Sequence, residues 1–322
     1  MTYPQQAVKR FLDQHLDPQR PVVLALSGGP DSMALLHTLL VFRKKRPLAL
    51  HLCHVDHGWR EESANEAQLL RGMAEAEGLP FHFKRLGALC ETSNLEAAAR
   101  SERLRFFRQV VAETGAQAVL LGHHAGDQSE TVLKRILEGA RVARLSGMRP
   151  SSMCEGVRLW RPLLTVAKQE LLDLLESKGI PYFVDRTNED TRFLRARMRQ
   201  AIVPDLEARF GKQVQKSLCR VAEELSEWGE FIEERAQQLR SQACVCEDAL
   251  VWDWSEGQEP KLCEVKALVR LLADEMQLDL RAEHLRTIGE AWAARKAHVH
   301  MWIGADLEVD RRRLILGQRS GP

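Results

Sequence analysis

Apolar positions follow two rhythms along the first two thirds of this chain. Residues 22–26, an unbroken apolar run, read as a buried strand, and 48–55, 81–85 and 118–122 read as further strands. Between them, residues 31–43, 63–78, 94–114 and 127–138 carry apolar side chains at helical spacing. Strand and helix in alternation require parallel crossovers. The pattern therefore predicts an α/β domain built on a doubly wound parallel sheet. Ligands in such sheets collect at the carboxyl ends of the strands. The residues after the first, second and fourth strands are the places to look for chemistry.

The rhythm changes near residue 212. Residues 213–242 keep a helical period throughout, with Leu218, Val221, Leu225, Trp228 and Ile232 at helical spacing. Residues 261–276 and 282–295 read as two more helices, and 299–303 with 307–316 as a closing hairpin. Trp252 and Trp254 alternate as core residues on one strand face. The expectation is an α/β domain over 1–211 and a second, mostly helical domain over 212–322.

Composition narrows the class. A chain of 322 residues with 44% hydrophobic side chains suits two ordinary domains. The net charge of +1 means that any nucleic-acid contact relies on local basic patches. Seven irregularly spaced cysteines do not form a disulfide framework, which fits a reducing cytoplasm. Residues 1–16 are polar and amphipathic, unlike a signal peptide, and no run reaches membrane-spanning length. A cytoplasmic location is expected.

The densest chemistry follows the first strand. Ser27-Gly28-Gly29-Pro30-Asp31-Ser32 joins it to a helix start. Two glycines let backbone approach a phosphate, while the helix amides and two hydroxyls supply donors. Asp31 would repel that phosphate unless a divalent cation such as Mg²⁺ lies between them. The bland alternative is a glycine turn with Asp31 as N-cap. The loop is neither the dinucleotide fingerprint G-x-G-x-x-G nor a Walker loop, because no Lys-Ser/Thr ends it.

Other constellations lie at the remaining strand ends. In His54-Val55-Asp56-His57-Gly58-Trp59-Arg60, Asp56 suits a ribose or purine amine and Arg60 a phosphate. The histidines have no third metal ligand at a fitting spacing, so hydrogen bonding at the strand end is their expected role. In the block from Gly122 to Thr131, Asp127 and Glu130 share a helix face and suit a cation or an amine. The bland reading has Asp127 capping that helix, with Glu130 closing a capping box and pairing with Lys134. Arg100 lies on a long helix and could reach the site mouth. Arg192, Arg195 and Arg199 fall on one helical face, where guanidinium groups suit phosphate oxygens. Cys244 and Cys246 read as ordinary thiols.

The first of these loops resembles the S-G-G-x-D-S signature of the PP-loop (N-type) ATP pyrophosphatases. H-V-D-H-G-x-R at 54–60, L-E-A-A-A-R at 95–100, G-H-H-x-x-D-Q-x-E-T at 122–131 and R-P-L-L at 161–164 extend the likeness. So does D-x-T-N-x-D…R-x-R-x-R-x-x-I-V-P at 185–204. Together these blocks resemble the tRNA(Ile)-lysidine synthetase family. That resemblance implies a ligase forming a C–N bond. ATP adenylates the C2 oxygen of the wobble cytidine in tRNA(Ile) with a CAU anticodon. Free L-lysine then displaces AMP, giving lysidine and diphosphate. It further implies that Ser27, Gly28, Gly29, Pro30, Asp31, Ser32, Asp56 and Arg60 hold ATP, with Asp31 on Mg²⁺. Asp127 would hold the lysine, helped by Glu130, Arg100 and Arg195 or Arg199. Arg141, Arg144, Arg149 and the helical domain would meet the tRNA. Gly126 and Ala196 depart from the family pattern, which has a second acid beside Asp127 and Arg-Asn near 195–196. The chain also reads as a short form without a further carboxyl-terminal domain. Competing readings are another PP-loop tRNA-modifying enzyme, such as a thiolase, or a non-catalytic nucleotide sensor. The absence of any C-x-x-C counts against the first, and Asp31 and Asp127 against the second.

Overall fold

The computed structural model describes residues 2–56, 63–86, 95–140, 142–184, 194–211, 213–246, 249–254, 259–294, 299–310 and 312–317. The chain divides into two compact units, Met1–Glu223 and Glu224–Pro322. The first contains α1 (Tyr3–His15), β1 (Val22–Ala25), α2 (Pro30–Arg43), β2 (Leu50–Asp56), α3 (Ser63–Ala76) and β3 (Phe81–Arg85). It continues with α4 (Leu95–Thr114), β4 (Ala118–Leu120), α5 (Ala125–Leu137), α6 (Val142–Leu145), β5 (Ser151–Cys154), β6 (Val157–Trp160) and α7 (Lys168–Lys178). Next come α8 (Leu194–Arg197), a π-helical turn (Met198–Ile202), α9 (Val203–Phe210) and the long α10 (Val214–Arg240), within which the division falls.

The sheet order is β3-β2-β1-β4-β6-β5, parallel except for β5. Side-chain alternation explains the unbroken apolar runs. Val22 and Leu24 of β1 join the core formed with α1, α2, α3 and α7, beside Leu35, Leu39, Leu70 and Leu171. Val23 points the other way, into a second core with Leu104, Phe107 and Val110 of α4. From β1 the chain moves outward to β2 and β3, then returns to β4 on the opposite side of β1. The loops leaving β1 and β4 therefore part company and open a crevice.

Several elements lie outside the expected set. Helix α1 packs Ala7, Val8, Phe11 and Leu12, a stripe too narrow to stand out in a polar segment. The β5–β6 hairpin and α7 are likewise additions. Helix α5 starts at Ala125, two residues before the expected Asp127, with His124 as its N-cap.

The second unit adds β7 (Cys244–Cys246), β8 (Ala249–Asp253), α11 (Leu262–Met276) and α12 (Ala282–Ala293). It closes with β9 (Val299–Trp302), β10 (Asp306–Val309) and β11 (Arg313–Gly317). Its five strands form an antiparallel sheet in the order β7-β8-β11-β10-β9. Trp252 and Trp254 are core residues there, with Val265, Leu268 and Ile288 of the helices. The expected closing hairpin is a three-strand meander. Asp310 breaks the second run, its Oδ1 accepting from the amides of Arg312 and Arg313 at 2.6 and 2.7 Å. Among the described residues no helix is long and apolar enough to cross a membrane.

Candidate active site

The turn after β1 is built from its own polar groups. Gly28 has φ of 82°, a left-handed value that favours glycine. A Cβ there would lie 2.4 Å from the Phe183 ring, and Phe183 N donates to Gly28 O at 2.9 Å. Ser32 Oγ accepts from Gly28 N at 3.1 Å and donates to Gly29 O at 3.0 Å. Ser27 Oγ lies 3.1 Å from Ser32 Oγ and accepts from Gly29 N at 3.3 Å. Two amides and two hydroxyls thus converge on one tight turn. Gly29 caps α2 without a side chain, and Pro30 occupies the first helical turn, where no amide is needed. These donors satisfy one another within the turn, and they are of the kind that phosphate oxygens accept from.

Asp31 follows in the first turn of α2. Its Oδ1 is paired with Lys168 Nζ, from the first residue of α7, and lies 3.8 Å from His124 Nε2. The turn after β4 presses directly against it. A Cβ on Gly122 would lie 3.0 Å from Asp31 C and 3.1 Å from Ser32 N, so any larger residue would push the two turns apart by a few tenths of an ångström.

His124 joins the halves. Its Nδ1 accepts from Gly126 N at 3.0 Å. Any ring proton therefore belongs on Nε2, which also lies 3.6 Å from Asp127 Oδ2. A Cβ at position 126 would come within 2.7 Å of His124 Cε1, so here the imidazole fills the space that a second acid would need. Asp127 closes a reciprocal capping box, accepting from His124 N at 3.0 Å. This corrects the capping expectation, because the earlier start of α5 moves every role back along the chain. Glu130 then neither caps α5 nor pairs with Lys134, which instead faces Glu138 at 3.7 Å.

Glu130, buried at 5% exposure, is held by Arg199. Arg199 Nε donates to Glu130 Oε1 at 2.7 Å, and Nη2 donates to Glu130 Oε2 at 3.2 Å and Asp127 Oδ1 at 3.1 Å. Burial would raise the Asp127 carboxyl. His124, His123, the His124 amide and Arg199 outweigh that and hold it below the usual range. Arg199 is raised despite burial, chiefly by Glu130. His123 moves the other way. Burial pushes it down to about 4, against the pull of Asp127 and with Arg161, Arg195 and Arg103 adding to the fall, so its ring is neutral at pH 7. Its Nδ1 is buried with no hydrogen-bond partner among the described residues.

The structure thus brings Ser27–Ser32, Asp31, Asp127, Glu130 and Arg199 to one crevice. His54 is satisfied at the strand end, its Nδ1 lying 2.8 Å from Leu26 O. Asp56 is buried at the end of β2, with Arg85 Nε at 3.5 Å. Arg100 is exposed on α4, near enough to Arg161 to depress it, and Arg195 is exposed on α8. Arg199 is half-exposed, but its guanidinium is held by Glu130 and Asp127. Arg144 is exposed, and Arg161 Nη1 donates to Arg149 O at 2.9 Å. Arg60, Arg141, Arg192 and residues 185–190 lie outside the described residues. Lys168, His124 and Phe183 were not assigned roles from sequence. Of these, only His124 lay inside a quoted motif.

Comparison with known proteins assigns a family. Residues 2–206 match the PP-loop domain family. The chain is 39% identical over 284 residues to a tRNA(Ile)-lysidine synthase of Protochlamydia amoebophila (strain UWE25), covering 88% of this chain and 62% of that protein. It is 42% identical over 223 residues to a tRNA(Ile)-lysidine synthase of Chlamydia caviae, covering 69% of each. Among solved structures, the U34-tRNA thiolase NcsA from Methanococcus maripaludis, with its [4Fe-4S] cluster, superposes with a TM-score of 0.57. Sequence identity there is 20%, over 70% of this chain and 78% of that one, a likeness of fold.

Proposed function

The chain belongs to the PP-loop family and, within it, to the tRNA(Ile)-lysidine synthases, and on that premise we propose that it uses ATP to join free L-lysine to C2 of the wobble cytidine in tRNA(Ile) with a CAU anticodon. The observation that carries this reading is the junction at His124. One imidazole Nε2 lies within 4 Å of both Asp31, beside the phosphate-type turn, and Asp127, in the acidic cluster.

The chemistry needs two linked steps. The C2 oxygen of cytosine is a poor leaving group. It attacks the α-phosphorus of ATP, and diphosphate departs with the electrons of the broken P–O bond. The lysine amine then attacks C2, loses a proton, and AMP departs with the C–O electrons. Catalysis of this kind is mainly positioning and charge stabilisation. Gly28, Gly29, Ser27 and Ser32 supply donors for the phosphates. At the other end, Asp127 and Glu130 carry two negative charges against one on Arg199. The remaining negative charge suits a lysine ammonium.

Mg²⁺ fits the same donors. Among the described residues no three His, Cys, Asp or Glu side chains cluster as a metal cage. Mg²⁺ does not need one, since it prefers one or two carboxylates completed by phosphate and water oxygens. Asp31 would hold it, and the bound ion would neutralise developing phosphate charge. The base must leave its stack to be reached, as in other single-stranded RNA recognition. Arg195, Arg144 and the second unit supply candidate RNA surface.

The direct test incubates the protein with ATP, L-lysine and tRNA(Ile), then weighs the nucleosides after digestion. Lysidine should form only when all three are present. ATP binding with no adenylated tRNA under any condition would favour a sensor, and a sulfur adduct a thiolase.

A further inference from the structure

We propose that Lys168 is a built-in counter-ion of the nucleotide turn. It neutralises Asp31 in the empty protein, so that a divalent cation enters only together with the nucleotide's phosphates. This rests on the reading of that turn as an ATP site. The ammonium of Lys168 sits directly on Asp31 Oδ1, the oxygen that also faces His124. A divalent cation and this ammonium would compete for the same carboxylate.

The backbone under Lys168 is anchored, while its side chain is partly exposed. Val166 is fully buried, and its carbonyl accepts from Ala125 N at 2.9 Å, tying the start of α7 to the start of α5. Glu170 Oε2 accepts from Ala167 N at 2.9 Å and caps the same turn. Leu171, Leu174 and Leu175 lock α7 into the core it shares with α2. Beyond that anchor, the side chains of Lys168 and Asp31 are 39% and 30% exposed. The pair is therefore screened by solvent and replaceable. A lysine stem is long and its ammonium is a point charge, so it can release the carboxylate without moving the helix. Once displaced, it remains beside the first turn of α2, where triphosphate oxygens would lie.

The test is a Mn²⁺ titration of the full chain without nucleotide, read by calorimetry and electron paramagnetic resonance. Unmodified protein should bind Mn²⁺ weakly. Lys168→Met should bind it about tenfold more tightly, the loss of one partly screened positive charge. Lys168→Arg should behave like the parent, and Asp31→Asn combined with Lys168→Met should lose the gain. Tight Mn²⁺ binding by the parent, no gain in Lys168→Met, or a gain that survives Asp31→Asn would each overturn the proposal. A parallel titration with a non-hydrolysable ATP analogue and Mg²⁺ separates the two ideas. If the parent binds no analogue, the ATP reading fails while the Mn²⁺ comparison still decides the role of Lys168.

Discussion

At the scale of single residues, charge matters more than shape. Asp31→Asn keeps the volume of α2's first turn and removes its negative charge. Diphosphate release should fall about a hundredfold or more, with the melting temperature little changed. Normal release would refute a cation-bridging role. Acid should also weaken the fold. His123 has a folded pKa of about 4 against an ordinary 6.5, and Asp127 is likewise lowered. The unfolded chain therefore binds protons first, so stability is greatest above about pH 6.5 and is lost as pH falls toward 4 and below. Melting curves across that range should show the decline, and His123→Gln should flatten its upper part. A flat parent profile would contradict the assignment. Asp31, Asp127 and Glu130 were legible in the sequence because each stands in a motif at a strand end. Lys168 was not, because its partner is 137 residues away and no local period records such a contact.

At the scale of elements, the central strands β1 and β4 were readable because burial on both faces leaves apolar runs. Helix starts were less so. A histidine caps α5, and histidine is not among the residues that usually signal an N-cap. The arginine segment divides into two roles that spacing alone could not separate. Arg195 is exposed on α8, whereas Arg199, beyond it in the π-helical turn, is folded onto Glu130 and Asp127. Reversing charge at Arg195 should weaken tRNA binding and make its salt dependence shallower by about one unit. Arg199→Ala should leave that slope alone and impair lysine use instead, because it strips the counter-charge from buried Glu130 and partly buried Asp127. Filter binding across salt concentrations, beside lysine-dependent rates, checks both. Equal behaviour of the two variants would mean that the division is wrong.

At the scale of the whole molecule, the two units have separate cores. The sheet that carries the nucleotide turn closes entirely within the first. A fragment of residues 1–223 should therefore fold and retain ATP binding, which thermal shift with an ATP analogue would report. Loss of all nucleotide response in a folded fragment would show that the second unit completes the site. Within the first unit, Gly122 places a limit on redesign. The wall at that point is backbone against backbone, Gly122 on one side and Asp31 and Ser32 on the other, with no room to spare for a Cβ. An engineer who wished to admit a bulkier amine could not thicken or shift that wall without also disturbing the grip on the nucleotide, so the two specificities would have to be altered together.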